Sequence, residues 1–202
     1  HVQSRASLPT DRLCVMRLRI HRGTAEIGGN CIEVEAQGKS ILLDLGMPLS
    51  DNRPASEVLP PVPGLVDGTN PSLIGIVISH PHADHCGLVG HAHPSIPVHI
   101  GMEAEKLLRA SVAFSPFGLR LTNAVHYRPR VRFSIGPFAI TPFLVDHSAF
   151  DAYSLLIEAD GRRLYYSGDL RGHGWKAKSF QALVERGPKG VDAMLLEGTT
   201  LS

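Results

Sequence analysis

Residues 79–87 read SHPHADHCG, and this stretch decides the fold assignment because it places three histidines and an aspartate within six positions. It ends the apolar run LIGIVI, which is typical of a buried strand. Unpaired polar side chains at the end of such a strand would be costly, so metal binding explains them better than a surface role does. His80 and His82 lie two residues apart and can face one cation, whereas Asp84 and His85 follow at the turn and can face another.

Two later apolar segments also end in residues that could bind a metal ion. FLVDHSAFDAY carries His147 just after its apolar part, and LYYSGDLRG carries Asp169 in the equivalent place. A metal ion needs more than two ligands, so we expect both strand ends to meet the histidine cluster. His91 and His93 lie in a loop flanked by glycine and proline, and a solvated role explains them better.

Composition and charge narrow the class of protein. The chain has 202 residues, of which 43% are apolar and 19% charged, and its net charge of +1 carries no polyelectrolyte signature. Its three cysteines are too few and too scattered for a disulfide framework or a thiolate zinc site. No apolar run approaches the roughly 18 residues of a membrane span, and the polar start lacks a secretory signal. We therefore predict a cytoplasmic protein without a membrane partner, made of a tail over residues 1–15 and one domain over residues 16–202.

The domain reads mainly as a series of strands. MRLRIHRG, CIEVEA and SILLDLG predict a β-meander, and later segments predict more strands and a hairpin that turns at Asp160 and Gly161. Helices are predicted over residues 102–114 and near residues 176–186, and the proline-rich residues 48–72 predict a long surface loop. The fold class is therefore α/β (α+β) with much antiparallel sheet.

These segments together resemble a known family. HPHADH, followed downstream by DHSAFD and SGDL, resembles the signature of the metallo-β-lactamase fold. Within that fold the chain is most similar to ribonuclease J and the β-CASP group of metal-dependent nucleases, whose EIG loop and Asp-x-Gly strand end resemble GTAEIGGN and ILLDLG here. Their HS-x-x-D segment resembles HSAFD, and EGTT resembles the point where β-CASP proteins leave the lactamase sheet. The resemblance covers about residues 16–201 and implies an αβ/βα sandwich.

The resemblance also implies a centre for two divalent metal ions. Imidazole and carboxylate ligands suit Zn²⁺ first and Mn²⁺ as the alternative. By position, the resemblance assigns one ion to His80, His82 and His147, and a second ion to Asp84 and His85, with Asp169 bridging both. Asp84 would also act in catalysis, by holding or receiving a proton.

Two more aspartates and one missing histidine complete the comparison with the family. Asp44 would be a buried residue that orients the histidine loop, with a turn-capping aspartate as the alternative. Asp151 would orient His147 or the substrate. The family completes its second metal site with a histidine near the end of the domain, and this sequence reaches Ser202 before such a position. We therefore expect the fold to lack its C-terminal part, so that a further segment or a second copy of the chain covers an exposed apolar sheet face.

The expected function is that of a metal-dependent hydrolase using a metal-bound hydroxide. The resemblance favours a phosphodiesterase or ribonuclease of the ribonuclease J type, with RNA as the substrate. Hydrolysis of a small ester, thioester, lactone or β-lactam stays open, because the motif selects the nucleophile and not the bond that it attacks. A metal-binding assembly module without turnover is the third possibility.

Two further features have open interpretations. YRPRVRF alternates Arg128, Arg130 and Arg132, so the three arginines could share one strand face and meet phosphates, although a solvated face explains them too. Trp175 could stack on a nucleic-acid base, but anchoring the helix that follows is the favoured explanation.

Overall fold

Six strands form the first sheet in the computed structural model, which describes residues 15–51 and 53–198. These strands, β1 to β6, span Arg17–Arg22, Cys31–Ala36, Lys39–Leu43, Leu73–Val77, Val98–Gly101 and Ala124–Tyr127. They are hydrogen-bonded in chain order, with β1 to β3 antiparallel, as the predicted meander requires, and β3 to β6 parallel. The tail predicted over residues 1–15 lies outside the described residues except for Val15, and the end of the EGTT segment also lies outside them.

Five strands form the second sheet, in the order β11-β10-β9-β8-β7. Strands β7 to β11 span Phe133–Ile135, Phe138–Leu144, Tyr153–Ala159, Arg162–Tyr166 and Ala193–Leu195. All neighbours are antiparallel except β10 and β11. The predicted hairpin turns at Asp160 and Gly161, whose φ angles of 52° and 70° lie in the left-handed region that aspartate and glycine tolerate.

Three helices complete the described part of the fold: α1 (Ala83–Cys86), α2 (Met102–Ser111) and α3 (Ala177–Arg186). The last two confirm the predicted helices, although α2 ends three residues before the predicted end. None of the helices among the described residues is long and apolar enough to cross a membrane. The predicted α/β (α+β) class is confirmed.

Alternation along the strands divides the apolar side chains between two cores. In β3, Ile41 and Leu43 face the second sheet and pack with side chains such as Phe138, while Leu42 faces the other way. The loop over residues 48–72 and helix α2 cover that other face, and Leu65 of the loop is fully buried. Burying one such side chain contributes about 1.5–3 kcal/mol, so this long loop helps to hold the first sheet.

The flank formed by β1, β11 and α3 exposes several large apolar side chains. Every residue of α3 is at least partly exposed, and Val184 on this helix is 71% exposed. Met194 and Leu196, in and after β11, and Ile20 in β1 are also exposed. The sequence predicted an exposed apolar sheet face that a further segment or a second copy would cover. The exposed side chains on this flank lie in or beside two edge strands and a helix. Whether a further segment or a second copy covers them stays a prediction.

One interpretation of the sequence is wrong in this region of the fold. Arg128, Arg130 and Arg132 do not share a strand face, because the chain turns between β6 and β7 at this point. Arg130 has a φ of 60° and stacks on the ring of Phe143, while Arg132 pairs with Glu158 at 3.4 Å. The alternation of arginines in the sequence predicted one shared strand face, but the turn between β6 and β7 separates the three side chains.

Candidate metal centre

The predicted ligands converge because three strands end at the same place. His80, His147 and Asp169 each lie three residues beyond the last residue of their strand, which is β4, β8 or β10 respectively. β4 belongs to the first sheet and the other two strands belong to the second. The centre therefore lies at one edge of the sandwich, where both sheets deliver polar side chains. His82 precedes α1, and Asp84 and His85 are in its first turn.

The first group of possible ligands contains only imidazoles. One nitrogen from each of His80, His82 and His147 lies within 4.8 Å of the other two. Nε2 of His147 is 3.0 Å from Nδ1 of His82, and the ring centroids of the three residues are 4.7–4.8 Å apart. Three converging ring nitrogens can supply three of the four ligands of a tetrahedral metal site.

The second group shares His80 and adds His85 and Asp169. Oδ1 of Asp169 is 3.1 Å from Nε2 of His85, whereas Oδ2 is 4.0 Å from Nε2 of His80 and 3.8 Å from Nε2 of His147. The two oxygens of this carboxylate thus face different groups, as a bridging residue would. Asp84 lies at the margin, with Oδ2 3.7 Å from Nε2 of His85.

The electrostatics of the first group favour neutral imidazoles. Burial, together with the neighbouring His85, lowers the pKa of His80 well below its ordinary value. Burial also lowers the pKa of His82, and it lowers the pKa of His147 to about 4. Neutral rings keep a lone pair available for a cation at neutral pH. Nε2 of His80 is buried and has no hydrogen-bond partner among the described residues, which is costly unless another group binds it.

His85, unlike the three imidazoles of the first group, is favoured in its protonated form. Burial alone would lower the pKa of His85, but the carboxylates of Asp44 and Asp169 outweigh it and raise this pKa to about 10. In return, although burial raises the pKa of Asp169, the bond to His85 lowers it below its usual value. A cation that binds Nε2 of His85 must displace its proton, so occupancy of this group depends on pH.

Asp44 lies beneath the histidine loop and is fully buried. Its carboxylate accepts hydrogen bonds from the amide and hydroxyl of Ser79, from the Tyr166 hydroxyl and from Nδ1 of His85, at 2.6–2.8 Å. The bond to Nδ1 fixes the ring so that Nε2 points to the centre. Asp44 has a φ of 59°, and any side chain at Gly46 would clash with the backbone of Asp84, which explains the Asp-x-Gly sequence.

Asp146 holds the other side of the centre. This fully buried residue precedes His147, and its carboxylate accepts hydrogen bonds from the amides of Gly174 and Lys176. The Lys176 ammonium donates to the carbonyls of Ala149 and Phe150, both at 2.7 Å. These bonds tie the loop of residues 145–152, which carries His147, to the loop of residues 167–176, which carries Asp169.

Asp151 acts on a helix and has no contact with His147 among the described hydrogen bonds. Its Oδ2 accepts the amides of Glu103 and Ala104 at 3.0 Å, at the start of α2, and its Oδ1 accepts the Tyr153 hydroxyl. It therefore caps α2 and fixes the loop that contains His147. The structure brings the six predicted ligands and Asp44 together. Asp151 lies outside this cluster and binds the start of α2.

Sequence reasoning missed four residues that support the centre: Ser79, Asp146, Tyr166 and Lys176. Ser79 and Asp146 directly precede predicted ligands, and Tyr166 ends the strand that leads to Asp169. Position next to a ligand was therefore an available signal for two of them. Lys176 could not have been recognised, because the carbonyls that it binds lie 26 and 27 residues away.

An open cavity of about 610 Å³ leads to the second group of ligands. Asp84, His85 and Asp169 line it, together with most of residues 20–32 and with residues 194–198. The cavity is of the size that holds small ligands, and the loop GTAEIGGN forms much of one wall.

Comparison with known proteins gives matches over most of the chain. Residues 40–202 match the family model described as "Beta-lactamase superfamily domain". Ribonuclease J of Synechocystis sp. is 30% identical over 187 residues, which is 88% of this chain and 29% of that protein. The chain spans about a quarter to a third of the length of the curated Ribonuclease J relatives that it matches.

Two solved structures show the same fold. A protein of unknown function from Enterococcus faecalis V583 superimposes with a TM-score of 0.77 at 22% identity, covering 93% of this chain and 51% of that one. MEM-A1, a subclass B3 metallo-β-lactamase from a soil metagenome library, superimposes with a TM-score of 0.57 at 17% identity, covering 83% and 72%. At these identities the likeness concerns the fold alone.

Proposed function

This chain belongs to the β-lactamase superfamily and has the metallo-β-lactamase fold, and from that premise we propose that it is a metal-dependent hydrolase of phosphodiester bonds in RNA. The observation that carries the proposal is the pair of ligand groups that share His80 and are linked by the two oxygens of Asp169. Enzymes that catalyse displacement at phosphorus commonly use two divalent ions held side by side.

The residues fit such ions. The buried Nε2 of His80 has no partner among the described residues, and an ion would supply one. We assign one ion to His80, His82 and His147 and a second to Asp84 and His85, with Asp169 between them. Nitrogen and carboxylate ligands suit Zn²⁺, with Mn²⁺ as the alternative. Such ions, when bound, supply Lewis acidity and lower the pKa of water to roughly 7.

The protein's own residues would orient the substrate and move protons. Asp84 lines the cavity and its side chain is partly exposed, so its carboxylate can accept a proton from an attacking water or return one to the leaving group. Asp44 holds His85 through Nδ1, and Asp146 holds the loops of His147 and Asp169. The catalytic groups therefore keep their geometry before a substrate arrives.

RNA is the proposed substrate because the curated relatives matched over most of this chain are named Ribonuclease J. A small ester, thioester, lactone or β-lactam is the second candidate, and the cavity size favours it, since 610 Å³ lies within the range of small-molecule pockets. A location in the cytoplasm and the existence of a homo-oligomer or a further segment remain predictions.

The test combines metal analysis with a set of substrates. The purified chain loaded with Zn²⁺ or Mn²⁺ is offered labelled single-stranded RNA, bis-nitrophenyl phosphate, a lactone and a chromogenic β-lactam. We expect cleavage of RNA that chelation abolishes and that His82→Ala removes, while the exposed His91→Ala serves as the control histidine. Turnover of only the lactone or β-lactam would favour the second candidate.

The metal content has its own diagnostic value. Two equivalents per chain would mean that the described ligands, with water, hold both ions, whereas one equivalent would mean that the second group needs a ligand from elsewhere. Bound metal without turnover of any of these substrates would contradict hydrolysis. It would favour the assembly module, in which ions raise stability by mass action.

A further inference from the structure

Two aromatic side chains are exposed on the loops that carry ligands of the candidate centre. Phe150, three residues after His147, is 68% exposed, and Trp175, six residues after Asp169, is fully exposed. The expectation that Trp175 anchors α3 is therefore wrong. A large apolar ring gains about 1.5–3 kcal/mol on burial, so an exposed pair beside a centre rich in ligands suggests a binding partner.

The backbones beneath both rings are fixed. The amides on either side of Trp175, those of Gly174 and Lys176, both bind the buried carboxylate of Asp146. The carbonyl of Phe150 accepts a hydrogen bond from the Lys176 ammonium at 2.7 Å. The same lysine thus connects the two aromatic positions, and the rings project from a preorganised support. A preorganised surface loses less entropy when a ligand orders on it.

We propose that Phe150 and Trp175 form a stacking platform for unpaired bases of a single-stranded RNA substrate. The inference rests on the proposed function and adds the form of RNA that the site would take. Stacking on an aromatic ring requires an exposed base face, which single strands offer and the interior of a duplex does not.

The charge of the protein supports stacking as the main source of affinity. Its net charge is +1, and the arginines of residues 128–132 are dispersed by a turn. General attraction of phosphates by the chain as a whole is therefore weak, so contacts to the bases should carry a larger share of the affinity. The Arg171 guanidinium packs against Gly174, lies 3.8 Å from the Asp146 carboxylate and is one-third exposed, so it can contact one phosphate beside the platform.

The sequence provides a direct probe, because Trp175 is the only tryptophan of the chain. In the full purified chain with its metal, Trp175 emission should have the long wavelength of a water-exposed indole. A single-stranded oligoribonucleotide with slowly cleaved phosphorothioate linkages should quench this emission saturably. The blunt duplex of the same sequence, and a strand with abasic sites that keeps the phosphates, should quench it far less.

Variants separate stacking from folding. Phe150→Ala and Trp175→Ala should each weaken binding of a labelled single strand about 5- to 150-fold, which corresponds to about 1–3 kcal/mol per stacked base. Trp175→Phe should recover much of the loss. Phe114→Ala is the matched control, because Phe114 is 80% exposed but follows the far end of α2 from the Asp151 cap.

The outcomes are distinguishable. Equal binding by wild type and both alanine variants, or equal quenching by the abasic strand, would overturn the platform. Emission that is already blue-shifted without RNA, with self-association that Trp175→Ala abolishes, would overturn it in favour of a contact with a second copy. Because fluorescence reads binding and not cleavage, a platform that binds RNA in a protein that never cleaves it would contradict only the proposed function.

Discussion

Two fully buried aspartates hold the two sides of the candidate centre, and they differ in what they bind. Asp44 accepts mainly side-chain donors, from Ser79, Tyr166 and His85, and one of these donors is itself a candidate ligand. Asp146 accepts the backbone amides of Gly174 and Lys176. Both carboxylates are hydrogen-bonded, as buried charges must be.

The difference separates two ways of supporting a site. Asp44 contacts the candidate ligand His85 directly, so its negative charge acts on the protonation and basicity of this imidazole. Asp146 has no hydrogen bond to a ligand side chain among the described residues, and it acts by holding two loops at a fixed separation. Replacing the first should change chemistry and stability together, whereas replacing the second should mainly change geometry.

Asp44→Asn should have the largest effect. The amide keeps the size of the side chain but presents an NH₂ group to donors, which leaves His85 or Tyr166 without an acceptor. Breaking a buried ion pair on one side costs about 3–5 kcal/mol. We also expect metal affinity of the second group to fall about 10- to 100-fold. Urea unfolding and metal titration measure the two effects.

Asp160→Asn is the matched control for this change, since Asp160 also has a left-handed φ, of 52°, but lies in a hairpin turn, where its Oδ1 accepts an exposed hydrogen bond from Gln37 that asparagine can also accept. It should unfold as the wild type does. Because asparagine adopts a left-handed φ as readily as aspartate, equal losses in the two variants would mean that the loss at Asp44 does not come from its buried charge.

Asp146→Asn should come second, with a loss of about 2–3 kcal/mol, because one amide of the loop after Asp169 loses its acceptor in a buried place. The metal defect should be larger for the group of His82 and His147, because His147 directly follows Asp146, and smaller for the group of His85, which Asp146 reaches only through the loop of Asp169. Asp44→Asn should show the reverse order. Metal titration followed by the signals of individual imidazoles in NMR would separate the groups. If both variants lost the same ion, the two aspartates would form one cooperative network and the comparison would fail.

Tyr166→Phe tests the hydrogen bonds to Asp44 with a smaller change than Asp44→Asn does. The change removes one of four donors to the carboxylate and leaves no polar atom behind, so we expect a loss of roughly 1–2 kcal/mol. Metal affinity should fall less than it does in Asp44→Asn. A calorimetric unfolding curve with and without metal checks both statements, and a loss as large as that of Asp44→Asn would show that Tyr166 carries most of the support.

The sequence indicated His80, His147 and Asp169 as candidate ligands, because each is of ligand type and follows an apolar run. The family resemblance added the assignment of the full set of six residues to two ions. The same resemblance implied the role of Asp44, which closes the predicted strand ILLDLG. Asp146 was missed because its neighbour His147 explained the same motif, and its amide donors lie 28 and 30 residues away. Trp175 was misread because a letter pattern does not reveal whether a side chain has anything to pack against.

Asp151→Ala should have the smallest effect, and it tests whether Asp151 belongs with the Asp146 side. It removes a helix cap, which typically costs about 1 kcal/mol. Asp151→Asn should lose less, because asparagine caps helices about as well as aspartate does. Since the carboxylate binds α2 and Tyr153, its effect on the ions should arise through movement of the loop around His147. Parallel measurement of unfolding and metal affinity decides the point. A stable Asp151→Asn protein that no longer binds metal would show that Asp151 acts on His147 directly, as the sequence first suggested.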